Sequence, residues 1–128
     1  MNFSFPLSFD SRRSTYMSPN GMVATSNPMA VSSGLKVLQN GGNAVDAAIT
    51  MAATLSVVEP NNTGLGGDLF ALIYDPKTDD FHGLNASGPA PVGVSLKRFS
   101  KRGYSEQIPP ESILSVTVPG AVCGWKKL

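Results

Sequence analysis

The stretch Asn43–Pro60, NAVDAAITMAATLSVVEP, restricts the fold more than any other part of this chain. Asn43 is a good helix cap, Asp46 falls in the first turn where the helix dipole favours negative charge, and Pro60 ends the run. Between them Ala44, Ala47, Ala48, Ala52 and Ala53 are spread around the helix. A helix that is apolar nearly all round is expected to be buried, and its small side chains let neighbours approach closely. The next segment, NNTGLGGDLFALIYD over Asn61–Asp75, must therefore turn sharply and enter a strand. Six of the seven residues in LFALIYD are apolar, which predicts a strand covered on both faces.

The glycines of that loop, Gly64, Gly66 and Gly67, invite a phosphate-binding reading. The order of elements argues against it. A phosphate loop comes after a strand and opens a helix, whereas here a helix precedes the glycines and a strand comes after them. The Gly-Lys-Ser/Thr ending is missing, and Asp68 would repel an anion. The expected role is a tight helix-to-strand turn using positive φ and close backbone approach. Tight loops at strand starts also line active sites. Asp68 is expected to order the loop by accepting hydrogen bonds from the loop's own N–H groups.

Elsewhere, residues 1–20 are irregular and rich in Ser and Pro. Met22–Thr25 reads as a short strand. A helix starts near Pro28, capped by Ser26 or Asn27, with Val31, Leu35 and Leu38 on one face and Gly41 or Gly42 as its left-handed C-cap. PKTDD is a turn, and FHGLNAS is the return strand of a hairpin. GPAPVGV is irregular, Ser95–Arg102 a short polar helix, SILSVTVPGA extended, and Gly120–Leu128 the start of a last helix. The class is α+β.

Composition excludes several functions. The net charge is +1 with scattered Lys and Arg, and neither Trp125 nor Phe99 joins an aromatic–basic pattern, so no nucleic-acid partner is expected. The apolar residues of Ala44–Val58 are too few and too interrupted to span a bilayer, and no signal-peptide pattern is visible, which makes a cytoplasmic protein without a membrane partner the expectation. Cys123 has no second cysteine to pair with and reads as a small buried apolar residue. His82 reads as an ordinary hairpin residue, since a catalytic base needs a positioned partner. Asp46, Glu59 and Asp68 have no metal-ligand spacing, so neither metal nor cofactor is expected.

Five segments occur in one order: GMVATSNPMA, GLKVLQNGGNAVDAAI, VVEPNNTGLGGDLFALIYD, LNASGPAP and TVPGAVCGW. Together they resemble the N-terminal region of the large subunit in the gamma-glutamyltransferase (gamma-glutamyltranspeptidase) family, including its acylase-like branch. The resemblance implies part of an αββα sandwich of the N-terminal-nucleophile (Ntn) hydrolase type. Residues 21–128 would be the N-terminal part of that domain, cut short at the C-terminal end. It implies an amidohydrolase or acyltransferase that cleaves a gamma-glutamyl or related acyl amide through an N-terminal threonine lying outside this chain. No catalytic residue is therefore assigned here. The implied partners are the remaining part, or small subunit, of the same precursor and a small acyl-amide substrate. The alternative is a truncated, inactive product that acts as a scaffold or assembly piece.

One departure bears on substrate. Many members of the family carry an arginine, a bidentate clamp for the glutamyl carboxylate, in the segment matching LNASGPAP. Aligning on the Ala-Pro step puts Ser87 or Pro89 there, and no Arg or Lys occurs from Thr78 to Leu96. Ser87 is thus the candidate substrate-binding position. Arg12, Arg13 or a downstream residue is left to supply a positive charge; the alternative is that the segment is only a connector in a divergent copy.

Overall fold

The computed structural model describes residues 14–128. Arg12, Arg13 and most of the N-terminal segment read as irregular lie outside the described residues. The elements run α1 (Pro28–Gln39), α2 (Ala44–Val58), β1 (Leu69–Asp75), β2 (Asp80–Ala86), α3 (Leu96–Ser100), a 3-10 turn (Ile113–Ser115) and α4 (Ala121–Lys127).

The helix ends form where the sequence places them. The Asn27 carboxamide accepts from the Met29 N–H at 2.9 Å, and Pro28 occupies the first turn. Gly41 takes φ +87° after α1, a conformation that favours glycine. Asn43 and Asp46 form a reciprocal capping box. The Asp46 N–H donates to Asn43 Oδ1 at 2.9 Å, and the Asn43 N–H donates to Asp46 Oδ2 at 3.0 Å.

α1 and α2 pack as a hairpin through small residues. Ala30 and Ala47 are almost fully buried, and a Cβ on Gly34 would lie 2.6 Å from Met51 Cγ. The Ser33 and Thr54 hydroxyls meet at 2.9 Å across this interface. Of the expected Val31–Leu35–Leu38 face, Val31 and Leu38 are half-buried and Leu35 is exposed, while Ala30 and Gly34 are the fully buried positions. Small side chains win those positions by letting the helix backbones come close. α2 is not buried all round. Ala47 is its one buried residue, and Val57 is exposed.

β1 and β2 form an antiparallel hairpin, with Leu69 opposite Ala86 and Asp75 opposite Asp80. Asp79, in the turn, takes φ +60°. The strand is not covered on both faces. Burial alternates along β1, and Phe70 and Leu72 are 69% and 75% exposed. Tyr74 stands on the same face, its ring centroid 5.1 Å from that of Phe81. On the other face α4 sits against the hairpin, where a Cβ on Gly124 would fall 2.8 Å from Ala86 Cβ and 3.0 Å from Leu69 Cδ2.

Met22–Thr25 is not a strand. β-branched residues favour extension, but a strand exists only through a partner, and the sheet contains β1 and β2 alone among the described residues. The segment 112–121 is extended only in part, its start wound into the 3-10 turn capped by Ser112. Cys123 is exposed rather than buried. α4 turns Ala121 and Gly124 toward the hairpin, and two residues along a helix point to nearly opposite sides. No described helix is long and apolar enough to cross a membrane.

Candidate functional site

The glycine loop is held between the end of β2 and the start of α4. The Gly67 N–H donates to the Gly64 carbonyl at 3.1 Å, closing the turn. The Gly67 carbonyl accepts from the Gly120 and Ala121 N–H groups at 3.0 and 2.9 Å. Donors at the start of α4 are thereby satisfied by backbone, which is how a helix end is stabilised without an anion. None of Gly64, Gly66 and Gly67 has positive φ, and the space a Cβ would fill at Gly64 and Gly66 is open. A Cβ on Gly67 would lie 3.3 Å from the Gly64 carbonyl oxygen, and far closer approaches occur at Gly88 and Gly120. A Cβ on Gly88 would overlap the Val118 carbonyl oxygen, and one on Gly120 would overlap the Ala86 carbonyl oxygen. The Val118 N–H also donates to the Pro89 carbonyl at 3.0 Å, so the two backbones cross in contact.

Asp68 is the polar centre of this crossing. Its Oδ1 accepts from the Gly88 N–H at 2.9 Å and from the Thr117 hydroxyl at 3.0 Å, and its Oδ2 accepts from the Ser87 hydroxyl at 3.2 Å. The expected bonds to the loop's own N–H groups are not made. One exposed carboxylate instead joins three segments that are far apart in sequence. The Gly88 N–H, helped by the Thr117 and Ser87 hydroxyls and opposed by desolvation, holds the Asp68 carboxyl below the usual carboxylate range.

The sign of this shift predicts an acid sensitivity. A depressed carboxylate contributes its full stabilisation above its unfolded pKa of about 4 and loses it as pH falls through the lower folded value. Asp68→Asn is expected to flatten the acid limb of stability against pH, read as the urea midpoint from pH 6 downward.

Ser87, the candidate from sequence, lies inside this cluster. Its N–H donates to Asn85 Oδ1 at 2.9 Å, and its hydroxyl points to Asp68. Pro89 supplies only its carbonyl. Thr117 was missed in the sequence, since nothing local signals a hydroxyl that bonds a carboxylate 49 residues away. His82 is exposed opposite Ile73 and apart from the cluster. Asp79 accepts from the Tyr74 hydroxyl at 2.8 Å, which holds that phenol above its ordinary pKa. Among the described residues no three His, Cys, Asp or Glu side chains gather as a metal site. The open groove of about 420 Å³ between α2 and β1, lined by Ala44, Ala48, Phe70 and Leu72, is apolar and offers packing rather than chemistry.

Residues 30–128 match the family model described as gamma-glutamyltranspeptidase. The chain belongs to that family. It is 36% identical over 127 residues to the glutathione hydrolase proenzyme of Bacillus subtilis (strain 168), an alignment covering 95% of this chain and 21% of that protein. It superposes on the gamma-glutamyltranspeptidase of Helicobacter pylori with a TM-score of 0.76 and 31% identity, over 89% of this chain and 33% of that one. The cephalosporin acylase of Bacillus halodurans is similar at a TM-score of 0.71 and 40% identity, over 93% of this chain and 23% of that one. The acylase-like branch is thus among its kin, and the α+β arrangement is part of an Ntn-hydrolase sandwich. The chain spans about a fifth of the length of the curated Bacillus subtilis relative.

Proposed function

We propose that this chain is the N-terminal segment of a gamma-glutamyltranspeptidase-like amidohydrolase or acyltransferase, with residues 21–128 as its folded part and the cytoplasm as its location. The observation that carries this reading is the family match over residues 30–128 at about a fifth of a relative's length. The nucleophile is then a threonine freed at the start of a second chain of the same precursor. Its own α-amine takes the hydroxyl proton, the oxygen attacks the amide carbonyl, and the C–N bond breaks as that proton passes to the departing amine. The acyl-enzyme passes its acyl group to water or an amine, with backbone donors elsewhere holding the oxyanion. This chain contributes scaffold and one wall of the pocket, built from Ser87–Gly88 and the Asp68 cluster. The substrate class is a gamma-glutamyl or related acyl amide. The exposed Phe70–Leu72–Tyr74 face fits the same reading, because an apolar face of this kind is covered in an assembled sandwich.

The test is the mass and terminal sequencing of the native gene product, with an amide-cleavage assay. Two chains from one precursor, the second beginning with Thr and the pair releasing amine from acyl amides, is the expected result. A native product near 13.4 kDa without amide cleavage would overturn the reading and leave an assembly role.

A further inference from the structure

The proposed pocket wall contains a hydroxyl whose proton is already committed. An ionised carboxylate only accepts hydrogen bonds, so in the Ser87–Asp68 contact the serine must donate. A hydroxyl has one proton and two lone pairs. With the proton spent on Asp68, what Ser87 shows to its open side is lone pairs. Ser87 is exposed, so that side is reachable. The Asp68 carboxylate stands immediately behind it with three donors and no cation among the groups that set its charge state. The region from Thr78 to Leu96 adds no Lys or Arg.

We propose that Asp68 is a positioning residue that orients the Ser87 hydroxyl as an acceptor, so that this wall selects an acyl amide presenting an N–H or ammonium donor and rejects one presenting a carboxylate. The inference rests on the reading of Ser87–Gly88 as a pocket wall. A substrate carboxylate placed there would meet lone pairs and a like charge, with no proton offered to it. A substrate ammonium would meet an acceptor with a carboxylate behind it.

Asp68→Asn reverses this polarity with little change in shape. The Gly88 N–H still needs an acceptor, so the amide oxygen stays on Gly88 and Thr117. The amide nitrogen then faces Ser87 and donates to it. Ser87 now accepts from behind, and its own proton is free to swing outward.

The experiment compares glutamine with γ-aminobutyramide, the same amide without the α-carboxylate, in the native gene product. Binding is read by calorimetry and turnover by ammonia release. The wild type is expected to bind γ-aminobutyramide about tenfold more tightly, the size of one mismatched hydrogen bond. Asp68→Asn is expected to bring that ratio near or below one. Should Asp68→Asn fail to fold, Ser87→Ala serves, and its ratio is expected to fall only in part, because the lone pairs are lost while the Asp68 carboxylate still faces the substrate. Equal or tighter binding of glutamine by the wild type would overturn the proposal, as would failure to bind either amide or a ratio unmoved by both variants. Loss of turnover on both amides with the binding preference intact would instead count against the amidohydrolase reading alone.

Discussion

Gly88→Ala is expected to cost the chain its native arrangement of hairpin and last helix. The added Cβ has nowhere to go, because the position it needs is held by the Val118 carbonyl. Neither partner is a flexible side chain. Val118 is fixed by its N–H bond to the Pro89 carbonyl, and the Gly88 N–H is fixed on Asp68. Relief therefore requires two backbone segments to separate. Separation would break the Asp68 bonds to Gly88 and Thr117 and pull Gly120 and Ala121 from the Gly67 carbonyl. Ordinary overpacking costs roughly 1–3 kcal/mol, and a clash of backbone on backbone lies at or above the upper end of that range. The urea midpoint of the native gene product is the measurement. A midpoint within error of the wild type would show that the crossing is not tight.

Ala47→Leu is expected to separate the two N-terminal helices. Ala47 is 1% exposed, and its carbonyl lies 3.5 Å from the position of a Cβ on Gly34. A leucine there adds three carbons where the facing helix presents Ala30 and Gly34 rather than a hole. The expected loss is about 1–3 kcal/mol. Ala53→Leu on the exposed side of the same helix is the control, expected within about 0.5 kcal/mol of the wild type. Equal effects at both positions would mean that helix propensity, not packing, governs this helix.

These two sites differ in how far the sequence reveals them. The importance of Ala47 was half legible. The alanine run announced a helix with close neighbours, yet the pattern suggested burial on every side. A helix is buried only where something lies against it, and α1 lies against one side of α2. Gly88 was not legible at all. The glycines that stand out in sequence are Gly64, Gly66 and Gly67, clustered in one loop, and the space beside the first two is open. The glycines that this backbone crossing requires are Gly88 and Gly120, which look ordinary in irregular segments. Their need arises from each other's neighbourhood, and a pair 32 residues apart leaves no local signature.

The sequence by itself determined the elements with local causes. Asn27, Pro28 and Gly41 bound α1, Asn43 and Asp46 start α2 through a capping box, and the Pro76–Asp79 turn joins two strands. Each of these depends on residues a few positions apart, whose spacing fixes their contact. The family was legible for a different reason, since five segments in order are specific without any geometry. Only the tertiary structure decided which face of each element is covered and what Asp68 holds. Those outcomes depend on which distant segment arrives beside a residue. Asp68 was expected to serve its own loop, and the N–H groups and hydroxyls that reach it come from residues 87, 88 and 117. A carboxylate takes whatever donors the packed chain delivers to it, and that delivery is a property of the fold.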